Sequence, residues 1–146
     1  MNEGPKNERP ILIDGMGRKF INLNISVNDR CDFGCTYFMP ADNVEFMDRS
    51  KLLSFEEITR IAQVMSKMGI YHLRLTGGEP LLRKNLPTLV KVLDGVDGIK
   101  DIALTTNAFL LKDQAAVLRE VGERSHQFRE NDIPRHRRGT SANFNL

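Results

Sequence analysis

Cysteine occurs only twice in the 146-residue chain, no apolar run is long, and neither sign of charge dominates. Two cysteines cannot build a disulfide scaffold, and in a reducing cytosol paired thiols more often ligate metal or do redox work. Nothing approaches the roughly 20 consecutive apolar residues of a membrane-spanning helix, and the opening residues hold no apolar run of signal-peptide length. The expectation is a soluble, cytoplasmic protein with no membrane partner. The formal net charge is +2, and residues 1–121 carry 16 Lys+Arg against 16 Asp+Glu; the excess lies in residues 122–146, with five Arg against three acids. A nucleic-acid surface needs a strongly basic stripe with aromatic interleaving, so no nucleic-acid partner is expected.

What is present suits one globular domain: 40% hydrophobic residues over this length can form a core. Residues 1–10 are polar, contain two prolines and read as a loose arm. Three strand-like runs with period-two alternation follow, at 20–28 (FINLNISVN), 71–77 (YHLRLTG) and 101–107 (DIALTTN). Helical patterns separate them. Ser54 and Glu57 form a capping box; Ile58, Ile61, Ala62, Met65 and Met68 fall at helical spacing, and Gly69 stands where a C-cap glycine belongs. A second helix is predicted over 86–93, with Asn85 as its cap, and a third over 113–121. Alternation of strand and helix implies parallel strands joined by crossovers.

One face of the three predicted strands is apolar: Leu23, Ile25 and Val27, then Leu73 and Leu75, then Ile102 and Leu104. The other carries Asn22, Asn24, Ser26, His72, Arg74, Thr76, Asp101, Ala103, Thr105 and Asn107. A doubly wound sheet is covered on both faces and favours continuously apolar strands, whereas a barrel with external helices can turn a polar face toward a ligand. The predicted class is therefore α/β, the N-terminal half of a partial TIM barrel with three βα units. Its chemistry would sit in the loops after the strands. Those are the cysteine stretch CDFGCTYFMP (31–40), GGEP (77–80) and the turn at 107–111. After Gly122 periodicity ends and charge rises, so 122–146 reads as a disordered tail behind a 20–121 barrel segment and a 1–19 arm. The arginines at 135–138 read as a solvated tail.

SVNDRCDFGCTYFMP, LRLTGGEPLLRKNLP and IALTTNAFLL, in that order and spacing, resemble the radical S-adenosylmethionine superfamily, and within it the GTP 3′,8-cyclase family of molybdenum-cofactor biosynthesis. The resemblance runs from Phe20 to Val121. It implies a lyase whose 4Fe-4S cluster is held by CxxxCxxC; the cluster binds and cleaves S-adenosylmethionine to a 5′-deoxyadenosyl radical that acts on GTP. Cys31 and Cys35 match the first two metal ligands. Tyr37 matches an aromatic residue beside the bound adenosylmethionine. Gly77, Gly78 and Glu79 match the motif that receives its methionine amino end, and Arg74 and Thr105 match residues that contact GTP.

The sequence also departs from that family. Phe38 occupies the third cluster-ligand position, and a phenyl ring has no lone pair for iron. Asn24 stands where an arginine is usual, and Ala108 where a glycine usually follows TTN. The residues after 121 do not resemble the family's continuation, as a shifted reading frame near Gly122 would produce. This chain is therefore expected to be inactive as written, with no certain catalytic residue. Two alternatives remain beside that: a non-catalytic remnant that binds a nucleotide or adenosylmethionine, and an interaction module that pairs a partner chain or a second copy along the open barrel edge. Zinc at the cysteines is disfavoured, because no nearby CxxC or His pair supplies four ligands.

Overall fold

The computed structural model describes residues 10–31 and 46–121, and the backbone alone of 142–145. Three parallel strands, β1 (Asn22–Ser26), β2 (His72–Thr76) and β3 (Asp101–Thr106), lie side by side in chain order. Their register aligns Asn24 with Arg74 and Arg74 with Ala103. The helices α1 (Phe55–Lys67), α2 (Leu86–Asp94) and α3 (Leu111–Val121) follow the three strands. Right-handed crossovers between strands that never reverse order must all land on the same side of the sheet. A doubly wound fold would need a reversal to place helices on both.

The buried residues agree. Ile25, Leu73, Leu75, Ile102 and Leu104 pack with Ile58, Ala62, Leu86, Leu89, Leu93 and Leu118 in one core between sheet and helices. On the opposite face Asn24, Ser26 and Arg74 are exposed, and no described helix covers them. This is a partial barrel wall: apolar face under helices, polar face toward the interior that a full barrel would enclose.

The capping box on α1 is complete, with Ser54 Oγ accepting from Glu57 N at 3.2 Å and Glu57 Oε2 accepting from Ser54 N at 2.7 Å. Its C-terminus closes as a Schellman motif: Ile70 N donates to Met65 O at 3.1 Å, Gly69 N to Ser66 O at 3.2 Å, and Gly69 holds φ +94°. Two of the five predicted core positions of α1 differ, since Ile61 and Met68 are exposed while Ser66 is buried. The helix presents the 58–62–66 stripe to the sheet, which turns Ile61 and Met68 toward solvent; the Ser66 hydroxyl is satisfied by Gln63 O at 3.0 Å. Asn85 precedes α2 as expected but caps nothing with its side chain, because its backbone is left-handed at φ 61°.

Two terminal expectations change. Within the predicted arm, residues 10–20 form a small hairpin, with an Ile13–Lys19 bridge, docked on α1 through Leu12 N to Met68 O at 3.1 Å. Within the predicted disordered tail, Ala142–Asn145 forms a fourth strand, β4, antiparallel to β3. Strand β3 offers an unpaired edge there, and backbone pairing needs no apolar pattern in the segment that fills it. Residues 1–9 and 122–141 lie outside the described residues.

Candidate functional site

The three loops that leave the carboxyl ends of the strands are stitched into one shelf. Pairing of β1 with β2 continues past both strands: Val27 N donates to Thr76 O at 2.8 Å, Gly78 N to Asn28 O at 2.7 Å and Glu79 N to Arg30 O at 2.7 Å. The backbones are so close that a Cβ on Gly77 would lie 2.2 Å from Asn28 O, and one on Gly78 2.2 Å from Arg30 O. Gly77 also holds φ +150°. Only glycine lets this loop lie flat against the segment that leads into Cys31.

Glu79 joins the third loop to the other two. Its side chain is buried at 1% exposure, and a carboxylate out of water persists only when donors satisfy it. Three do: Thr106 Oγ1 at 2.6 Å and Leu81 N at 2.9 Å donate to Oε1, and Asn107 N at 2.8 Å donates to Oε2. The Leu81 contact also caps the 3-10 turn Pro80–Leu82. Asn28, likewise buried, donates from Nδ2 to Arg30 O and Glu79 O, both at 3.2 Å.

Of the predicted site residues, the structure brings Gly77, Gly78 and Glu79 directly against the approach to Cys31, which is half-buried at the end of that segment. Cys35, Tyr37 and Phe38 lie outside the described residues. Arg74 is exposed in the middle row of the polar face, and Thr105 is half-buried on the same face, two residues nearer the loops than Ala103. His72 sits at the far end of the sheet, its Nδ1 3.1 Å from Asp101 Oδ2, away from the loops. Asn28 and Thr106 were not singled out by sequence reasoning, whereas Asn107 was placed on the polar face and at the start of the 107–111 loop. The signal was present: Asn28 lies two residues beyond β1 and Thr106 ends β3, where a buried polar residue must be bonding a neighbouring loop.

The side chains available do not fit a complete cluster. Cys31 and Cys35 offer two thiolates, position 38 offers a hydrocarbon ring, and no group of three or more His, Cys, Asp or Glu among the described residues could hold a metal. The three loops thus meet through backbone, glycine and the Glu79 carboxylate, beside a segment whose sequence carries two thiols.

A sheet wound in one direction, with its helices on one face and its loops gathered at the carboxyl ends, is the wall of a partial (β/α) barrel. The chain belongs to the Radical SAM superfamily, whose family model matches residues 25–128. It is 46% identical over 120 residues to a protein named GTP 3′,8-cyclase from Staphylococcus epidermidis, covering 80% of this chain and 35% of that protein. Proteins of the same name from Rhodopirellula baltica and Staphylococcus haemolyticus are 46% and 48% identical over 112 and 115 residues; each alignment covers 76% of this chain, and 31% and 34% of the relative. The chain spans about a third of the length of these curated relatives.

Proposed function

We propose that this chain corresponds to the amino-terminal part of a GTP 3′,8-cyclase-type barrel, with an adenosylmethionine shelf at residues 77–79 and a GTP-facing wall that carries Arg74 and Thr105, and that it does not turn over as written. The seating of Gly77 and Gly78 on the backbone of residues 28–30 carries the reading. Such close approach serves no purpose in packing an apolar core; it aligns the loop with the segment that leads into Cys31. Gly78 is exposed at this position, and a backbone carbonyl is the kind of acceptor that suits an ammonium donor such as the methionine amino group. Glu79, occupied by three protein donors, holds the shelf in place and leaves recognition to the backbone.

In the family, the cluster supplies the electron that cleaves adenosylmethionine. With Phe38 in place of a thiolate no step is assigned to this chain through that group. What its own residues can do is bind. Arg74 supplies a fixed positive charge on the polar face, suited to a phosphate or a purine carbonyl, and Thr105 supplies a hydroxyl on the neighbouring strand. Calorimetric titration with GTP and with adenosylmethionine tests this. We expect heat with GTP that falls at least severalfold in affinity in Arg74→Ala; no heat with either ligand would reject the binding wall.

A second reading has one observation in its favour. Among the described residues β1 pairs only with β2, so its other edge presents free backbone groups suited to a further strand. A concentration-dependent dimer in size-exclusion chromatography would support edge pairing, and a monomer at all concentrations would reject it.

A further inference from the structure

The cysteine-bearing segment leaves the sheet at Asp29 and Arg30 and returns at Phe46 and Met47, and these four residues touch. Asp29 Oδ2 accepts from Met47 N at 2.6 Å, across 18 positions of chain, and the Arg30 guanidinium lies 5.5 Å from the centroid of the Phe46 ring. The same Arg30 is anchored to the shelf, its carbonyl accepting from Glu79 N and Asn28 Nδ2. Asp29 therefore fixes the returning end of the segment to the one stretch of the leaving end that is already held by the glycine loop. Its second oxygen, Oδ1, is shielded from solvent and has no hydrogen-bond partner among the described residues, so the carboxylate retains capacity for a further donor.

We propose that Asp29 is a positioning residue that closes the neck of the cysteine-bearing segment, with Arg30 and Phe46 as its second contact, so that the entry and exit of the segment are set by the protein before any metal is loaded. Tying the two ends removes the loop-closure share of the chain freedom that loading would otherwise have to remove. A carboxylate suits the task because a charge-assisted bond to a main-chain N–H is stronger than a neutral one. The purpose assigned to the neck rests on the reading of the segment as a cluster cradle; the neck itself is tested without metal.

Amide hydrogen exchange on the chain as it exists is the direct probe. In Asp29→Ala the Met47 amide should exchange about tenfold faster or more, while the amides of Leu73, Leu75 and Leu104 keep their protection. Asp29→Asn, whose amide oxygen can still accept, should restore most of the Met47 protection. Unchanged Met47 exchange in Asp29→Ala with the core amides intact overturns the proposal. Should Asp29→Ala fail to fold, Met47→Pro deletes the donated N–H from the other end. In a Phe38→Cys background Met47→Pro should then reduce iron uptake severalfold, and equal uptake overturns the proposal. A Phe38→Cys protein that takes up no iron while Met47 remains protected would sink the cradle reading and leave the neck standing.

Discussion

Ala108 holds φ 65°, in the left-handed region where a Cβ meets the neighbouring carbonyl and glycine does not. Its N–H donates to Thr106 Oγ1 at 3.1 Å and its carbonyl accepts from Leu111 N at 3.2 Å, so the turn into α3 locks the residue there. Ala108→Gly should stabilise the protein by about 1 kcal/mol in urea unfolding, the left-handed penalty less the entropy that glycine loses on folding. Glu79→Gln should act the other way: one oxygen is retained, but an amide NH2 replaces the oxygen that accepts from Asn107 N or from Thr106 and Leu81, setting donor against donor in a buried site. A loss of about 2–3 kcal/mol in the same measurement is expected. An unchanged midpoint for Glu79→Gln would show that the clamp holds nothing. Sequence reasoning located Glu79 and flagged Ala108 by pattern. It could not see that the acid faces inward to three donors, because Thr106 and Asn107 are 27 and 28 positions away and only folding brings them together.

At the scale of elements, the cap of α1 and its terminating glycine were legible because both are local signals, whereas its buried stripe, which depends on how the helix is turned toward the sheet, differed at Ile61, Ser66 and Met68. The hairpin at 10–20 was not legible. Its alternation is short, and it is held by Asp14, whose carboxylate accepts from the N–H of Arg18 at 2.9 Å, from Arg18 Nε at 2.6 Å and from Met16 N at 2.9 Å. The backbone bond from Arg18, then its side chain, hold the Asp14 carboxyl below the ordinary aspartate value, with Met16 adding to the effect. A depressed folded value means that the tie is present above the ordinary value and is lost as pH falls through the lower one. An NMR titration should show Asp14 protonating below the ordinary aspartate value, with the Met16 and Arg18 amide shifts moving in step. Amide shifts that move at the ordinary aspartate value would contradict the tie. The fourth strand escaped sequence reasoning for a different cause: its place is set by the open edge of β3 and not by any pattern in residues 142–145.

For the whole molecule, strand order decides the architecture. Order β1-β2-β3 without reversal puts every helix on one face, which leaves a row of Asn24 and Arg74 beside Ala103 on the other, and period-two alternation already announced that division. The loops at one end of that wall converge through glycine and Glu79 on the approach to Cys31, and the superfamily match over residues 25–128 covers the same elements. We propose that this convergence is an iron–sulfur cradle deprived of one ligand by Phe38. Anaerobic loading with iron and sulfide, measured as protein-bound iron and acid-labile sulfide with broad visible absorbance, compares the chain with Phe38→Cys. Bound iron and sulfide are expected in Phe38→Cys, and little or none in the parent. A Phe38→Cys protein that folds normally and stays colourless would contradict it.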